Sequence, residues 1–220
     1  MKDYQQKFLN LALEAKALEF GNFTLKSGRQ SPYFFNAAKM LNGSNLYELA
    51  NCYEEAIKDA DIEFDCIYGP AYKGIFLGSI LSTVLSKHGK NYPLSFNRKE
   101  VKDHGEGGNI IGANPIGNVL IIDDVISAGT AAKESIETIK ALGANPNLML
   151  VGLDRQEKGQ GSVSARAELE NIYGMRVISI INLDALIQFS EKDPEYSEYL
   201  SNLKAYSCLL YTSPSPRDYP

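Results

Sequence analysis

Apolar residues fall at helical spacing over residues 3–20, where Tyr4, Phe8, Leu11, Ala15 and Leu18 share a face and Asp3, Lys7, Glu14, Lys16 and Glu19 break it up. The pattern predicts an amphipathic helix that ends near Gly21. Residues 22–43 are rich in turn formers and hold short strand-like pieces, including Tyr33-Phe34-Phe35. Residues 45–60 read as a second helix. From there the pattern alternates. Short aliphatic runs at 66–68, 94–96, 119–122, 148–153 and 177–181 read as strands. Helical patterns at 75–87, 131–142, 163–173 and 183–190 lie between them, two of them followed by Gly143 and Gly174. Strands alternating with helices predict a parallel sheet with right-handed crossovers. The segment 98–117 is polar, glycine-rich and neither helical nor strand-like, so it reads as an active-site lid or disorder.

The run Val119-Leu120-Ile121-Ile122 leads straight into Asp123 and Asp124, then into the turn Ser127-Ala128-Gly129-Thr130 before the next helix. Ligands of an open α/β sheet bind beyond the carboxyl ends of its strands. Free N–H groups at a helix start bind phosphate. The stretch therefore predicts a site for a phosphorylated substrate with sugar hydroxyls, with Mg²⁺ as a companion. A single Asp here could be a helix cap, but two in succession after a buried strand favour chemistry. A phospho-acceptor receiver domain would carry its acidic cluster near the chain's start, which does not match. Gly69-Pro70-Ala71-Tyr72-Lys73-Gly74 is a second strand-to-helix turn that brings backbone close to an anion, with Lys73 as a point charge. It also reads as an ordinary connection. Arg98, Lys99, Lys102 and His104 could close over a phosphorylated substrate or form a solvated surface. Lys26 has an equally plain reading as a turn lysine. Phe34 and Phe35 read as core, with room for one to stack on a planar ring. Arg155 follows the strand at 148–153 and so shares the sheet edge of Asp123.

Composition narrows the classes. Hydrophobic residues make up 44% and the net charge is −5. That charge argues against general binding to nucleic acid or to an anionic membrane. Cys52, Cys66 and Cys208 are scattered, and neither His88 nor His104 has metal-ligand spacing, so no protein-held metal is expected and a reducing, cytoplasmic setting fits. G-x-G-x-x-G and G-x-x-x-x-G-K-[ST] are both missing from the sequence, which removes the main support for dinucleotide and P-loop sites. The stretch 207–220, with Thr212-Ser213-Pro214-Ser215-Pro216, has no periodicity and reads as a disordered or non-native tail.

V-L-I-I-D-D-V-I-S-A-G-T-A resembles the phosphoribosyl-diphosphate (PRPP) motif of type I phosphoribosyltransferases. Phe96 to Gly108, Phe23 to Asn36, G-P-A-Y-K-G and Leu153 to Gly159 narrow the resemblance to the orotate phosphoribosyltransferases. It covers roughly residues 2–206. The resemblance implies an α/β, Rossmann-like core with a central parallel sheet flanked by helices, and a small hood built mainly from the N-terminal region. It divides one domain, 1–206, into N-terminal helices and hood (1–62), core (63–190) and C-terminal helix (191–206). It implies a Mg²⁺-dependent transfer of ribose 5-phosphate from PRPP to orotate by a homodimer that shares its active sites.

By the same resemblance Asp123 and Asp124 hold the ribose hydroxyls, and the PRPP loop runs through Val125, Ile126, Ser127, Ala128, Gly129, Thr130 and Ala131. Tyr72 and Lys73 meet the pyrophosphate. Arg98, Lys99, Lys102 and His104 close over it, partly in the neighbouring subunit, and Lys26 contacts substrate. Phe34, Phe35, Ser127 and Arg155 bind orotate. Lys102 joins the two aspartates as the catalytic set. Mg²⁺ would be held mainly by PRPP and water. Ser127 stands where relatives often carry Thr and keeps the hydroxyl. A transferase for another base and a non-catalytic PRPP sensor are the alternatives.

Overall fold

The computed structural model describes residues 1–25, 28–102, 108–159 and 161–212; at 100–102, 108, 211 and 212 it describes the backbone path only. Lys26 and His104 lie outside the described residues, as does most of the expected tail.

A six-stranded sheet runs in the order β5-β4-β3-β6-β7-β8. Its strands are β3 (Cys66–Tyr68), β4 (Leu94–Lys102), β5 (Gly108–Gly112), β6 (Asn118–Ile126), β7 (Asn145–Asp154) and β8 (Arg176–Asn182). All neighbours are parallel except β4 and β5. β6 is a near-continuous aliphatic run because both of its faces are covered. Leu120 and Ile122 belong to one buried cluster and Val119 and Ile121 to the other, and all four are fully buried. Burying each such side chain contributes roughly 1.5–3 kcal/mol. The first cluster is closed by α1 (Asp3–Glu14), α2 (Gly43–Ala60) and α3 (Lys73–Lys87), with α6 (Leu183–Lys192) beside them. The second is closed by α4 (Thr130–Ala141) and α5 (Ala165–Tyr173).

The hood is a two-stranded antiparallel sheet of β1 (Leu18–Thr24) and β2 (Gln30–Phe35). The first helix is accordingly shorter than its pattern predicts. It stops at Glu14, Lys16 takes a left-handed turn at φ 53, and Leu18 pairs with Phe35. No Gly or Pro marks this break. Tertiary pairing of aromatic strand formers overrides the helical periodicity.

The glycine-rich segment is not structureless throughout. β4 continues past Phe96 to Lys102, and β5 folds back on it, with Lys102 opposite Gly108. The sheet is therefore mixed, with one antiparallel edge strand. The C-terminal helix also differs. α7 (Leu200–Thr212) runs past the boundary expected at 206, and Leu203, Tyr206 and Leu210 are buried in the first cluster. The lack of polar spacing from Cys208 to Leu210 hid that continuation. Among the described residues no helix is long and apolar enough to cross a membrane.

Candidate active site

The carboxyl ends of β3, β6 and β7 meet at one edge of the sheet. β6 extends to Ile126, with Val125 opposite Leu153 and Ile126 opposite Asp154. Asp123 and Asp124 thus lie within the strand rather than after it. As successive strand residues they face opposite sides of the sheet. Asp124 is 3% exposed, and its Oδ2 accepts from Lys73 Nζ at 2.6 Å. Asp123 is half-buried and lines a cleft of about 480 Å³ with Ser127 to Ala132 and Glu134. Its Oδ1 accepts from the Asp124 N–H at 2.9 Å. Burial first, then the Asp124 carboxylate, push the Asp123 carboxyl up to about 8. The buried Tyr53 hydroxyl donates to the Asp123 carbonyl at 2.8 Å and anchors the strand from α2. Burial and then the two carboxylates raise the Tyr53 pKa well above its ordinary value, so it stays a neutral donor.

The floor of this cleft is the start of α4. Gly129, before its first residue, has φ 78. Only glycine takes that conformation without strain. It turns the chain from β6 into the helix, whose first N–H groups lack intrahelical partners. The turn is thus built to receive an anion.

Gly69 and Gly74 make the second turn by backbone contact. A Cβ on Gly69 would stand 2.1 Å from the Gly74 carbonyl oxygen, and one on Gly74 would stand 2.6 Å from the Gly69 carbonyl carbon. Asn97 in β4 accepts the Ala71 N–H at 2.8 Å. The Ala71–Tyr72 peptide is cis, and Tyr72 is 69% exposed. Lys99 Nζ lies 4.9 Å from the Tyr72 ring centroid, a cation–π contact. Arg98 and Lys99 line a separate cleft of about 430 Å³ that reaches Ala131 and Glu134.

A further cleft of about 520 Å³ opens on the other side of Ser127. Phe34, Phe35, Lys73, Ser127 and Arg155 line it. Phe34 is 37% exposed and stacks on Phe23 at 5.6 Å, whereas Phe35 is buried against Phe8. Arg155 is buried, and its Nε donates to Glu157 Oε1 at 2.7 Å. Val125, Ser127 and Ala128 border both this cleft and the one holding Asp123.

The structure therefore gathers Asp123, Asp124, Lys73, the Ser127–Ala131 turn, Phe34, Phe35 and Arg155. It sets Tyr72 outward and brings Arg98 and Lys99 beside the turn. Lys102 is described in its backbone only. Sequence patterns single out neither Arg29 nor Glu157, which also line the 520 Å³ cleft. The spacing of Arg155 and Glu157, with one residue between them just after a strand, was the available signal. Among the described residues no cluster of three or more His, Cys, Asp or Glu is placed to hold a metal.

A scan against protein-family models matched none. The chain is 54% identical over 207 residues to an orotate phosphoribosyltransferase of Saccharophagus degradans, covering 94% of this chain and 97% of that protein. It is 50% identical over 206 residues to the one of Marinobacter nauticus, with the same coverage. The crystal structure of orotate phosphoribosyltransferase from Francisella tularensis superposes with a TM-score of 0.80 at 36% identity, over 91% of this chain and 97% of that one. A yeast adenine phosphoribosyltransferase at 18% identity and TM-score 0.52 shares the fold.

Proposed function

The chain belongs to the orotate phosphoribosyltransferase family and transfers the ribose 5-phosphate group of PRPP to orotate in pyrimidine biosynthesis, and we propose from that premise how its residues divide the reaction. The observation that carries the proposal is the pair of clefts meeting at Val125, Ser127 and Ala128. The smaller has carboxylate and free helix N–H groups, which suit ribose hydroxyls and a 5′-phosphate. The larger has an aromatic face and a buried guanidinium, which suit a planar anionic base. A bond between base and sugar would form where the clefts join.

In that arrangement the Ser127–Ala131 turn holds the 5′-phosphate, and Asp123 and Asp124 hold the ribose hydroxyls. Orotate binds with its ring beside Phe34 and Phe35 and its carboxylate on Arg155, with the Ser127 hydroxyl between base and sugar. The C1–oxygen bond to pyrophosphate breaks as a ring nitrogen of orotate bonds to C1. Positive charge grows on the ribose and the Asp124 carboxylate offsets it, while Asp123, whose carboxyl holds its proton up to about pH 8, hydrogen-bonds a ribose hydroxyl. Negative charge grows on the leaving group. Lys73 and Tyr72 receive it, Arg98, Lys99, Lys102 and His104 close over it, partly in a neighbouring subunit's site, and Lys26 contacts substrate. The charge of orotate sits on its carboxylate, so the ring nitrogen gives up its proton as it bonds to C1. The departing pyrophosphate, which gains negative charge in the same step, takes that proton, and no protein base is required.

Mg²⁺ would reach the site on the pyrophosphate oxygens and neutralise the leaving group. Of the two aspartates Asp123 is the half-open one whose oxygens would meet its hydration shell, whereas Lys73 occupies Asp124. The β4–β5 arm would serve the site of a second subunit in a cytoplasmic homodimer.

With orotate, PRPP and Mg²⁺, orotate absorbance falls, and adenine is not consumed in its place. Lys102→Ala in the same assay loses about a hundredfold or more in turnover, while PRPP binding stays within about threefold. Equal losses in both would overturn the role given to Lys102.

A further inference from the structure

Arg155 is held on more sides than a binding arginine requires. Its guanidinium carbon sits 4.3 Å from the Tyr33 ring centroid. Nε donates to Glu157 Oε1 at 2.7 Å, and Nη2 donates to Ser31 Oγ at 2.9 Å and to the Tyr206 hydroxyl at 3.4 Å. Nη1 has no partner among the described residues. Glu157 is itself held twice more. Oε1 accepts from the Tyr206 hydroxyl at 2.5 Å, and Oε2 pairs with Arg29 at 3.2 Å.

Arg155 and Glu157 are each 5% exposed. Burying an ion pair is costly and stabilises little by itself, so packing alone does not account for the cluster. The guanidinium is a rigid planar fork. Fixing Nε and Nη2 therefore fixes the direction of Nη1. Within the cluster, Arg29 and Arg155 against Glu157 leave one positive charge, and Lys158 and the Asp124-paired Lys73 line the same cleft, so the cleft suits a carboxylate. The holders come from separate elements, with Ser31 and Tyr33 on β2, Glu157 just after β7 and Tyr206 on α7.

We propose that Glu157 and Tyr206 are positioning residues that orient Arg155 Nη1 toward the carboxylate of orotate, and so set the preference for a base that carries one. This rests on the reading of Arg155 as the partner of that carboxylate. It goes beyond that reading by placing the selectivity in side chains that act through Arg155.

The test compares binding of orotidine 5′-monophosphate and uridine 5′-monophosphate, which differ by the base carboxylate, by calorimetry alongside thermal unfolding. The unmodified protein prefers the orotidine nucleotide, and Arg155→Ala abolishes the preference. Glu157→Gln keeps the shape, and it narrows the preference about tenfold with uridine nucleotide affinity within about twofold, as expected for weakening a charged hydrogen bond. Tyr206→Phe narrows it about twofold to threefold. A merely structural role would weaken both nucleotides alike and leave their ratio intact. An intact ratio in Glu157→Gln and Tyr206→Phe, with the ratio lost in Arg155→Ala, overturns the positioning role and leaves the Arg155 reading standing. An intact ratio in Arg155→Ala overturns that reading. If Glu157→Gln does not fold, Tyr206→Phe decides.

Discussion

Asp123 serves the substrate at a cost to the fold. Burial, then the Asp124 carboxylate, raise its carboxyl from 3.8 to about 8. A carboxyl whose folded pKa lies above its unfolded value binds its proton more tightly when folded. Its favourable contribution is complete below about pH 4 and is lost as pH rises toward 8. Asp123→Asn keeps the oxygen that accepts the Asp124 N–H and removes the charge. We expect its melting temperature to exceed that of the unmodified protein by a few degrees at pH 8, with the gain shrinking toward pH 4, while turnover collapses. Each kcal/mol moves the midpoint by about 2–4 °C in a chain of this size. A pH-independent difference would place the strain elsewhere. The residue pair was legible in the sequence because an acidic doublet after an aliphatic run is unusual. The Arg155–Glu157–Tyr206 cluster was legible only in its first two members, because Tyr206 lies far along the chain and joins them only when α7 packs against the hood.

At the scale of elements, strands β6, β7 and β8 and helices α3 to α6 were legible because their periodicity coincides with their burial. The hood strand β1 was not, since residues 15–20 continue a helical pattern that only pairing with β2 breaks. The β4–β5 hairpin was hidden by its composition, because polar residues and glycines carry no alternation. The turn joining β3 to α3 illustrates a constraint that pattern does reveal. Gly69→Ala forces a methyl against the Gly74 carbonyl. It should cost about 1–3 kcal/mol by denaturant titration and raise the KM for PRPP more than that for orotate. Gly43→Ala, at the start of α2 with open space around it, should leave stability equal or up to about 1 kcal/mol higher. Equal effects of the two substitutions would show that the close approach is immaterial.

At the scale of the whole molecule, the arm that carries Arg98, Lys99 and Lys102 is continuous with a strand whose base, Leu94 and Ser95, pairs with β3 in the sheet. It leaves the edge of the sheet, where a second subunit could receive it. A mixture of Lys102→Ala and Asp124→Asn proteins tests this. If sites are shared, equal mixing after subunit exchange restores about a quarter of normal activity, since half of the dimers are mixed and each has one intact site. No recovery despite verified exchange would assign the arm to its own subunit. A contact with a second copy would leave no pattern in the sequence, because one chain's apolar periodicity records its own core and not its contacts with a copy.

The shared wall at Val125, Ser127 and Ala128 also sets a rule for inhibitor chemistry. Two weak fragments, an aromatic carboxylate for one cleft and a phosphorylated polyol for the other, would lie on adjoining sides of a short stretch of backbone. A tether need only cross that stretch to turn the second binding event into an intramolecular one, at an effective concentration in the millimolar range for a short flexible link. Longer tethers would forfeit that advantage, so linker length, more than fragment affinity, is the variable to optimise first.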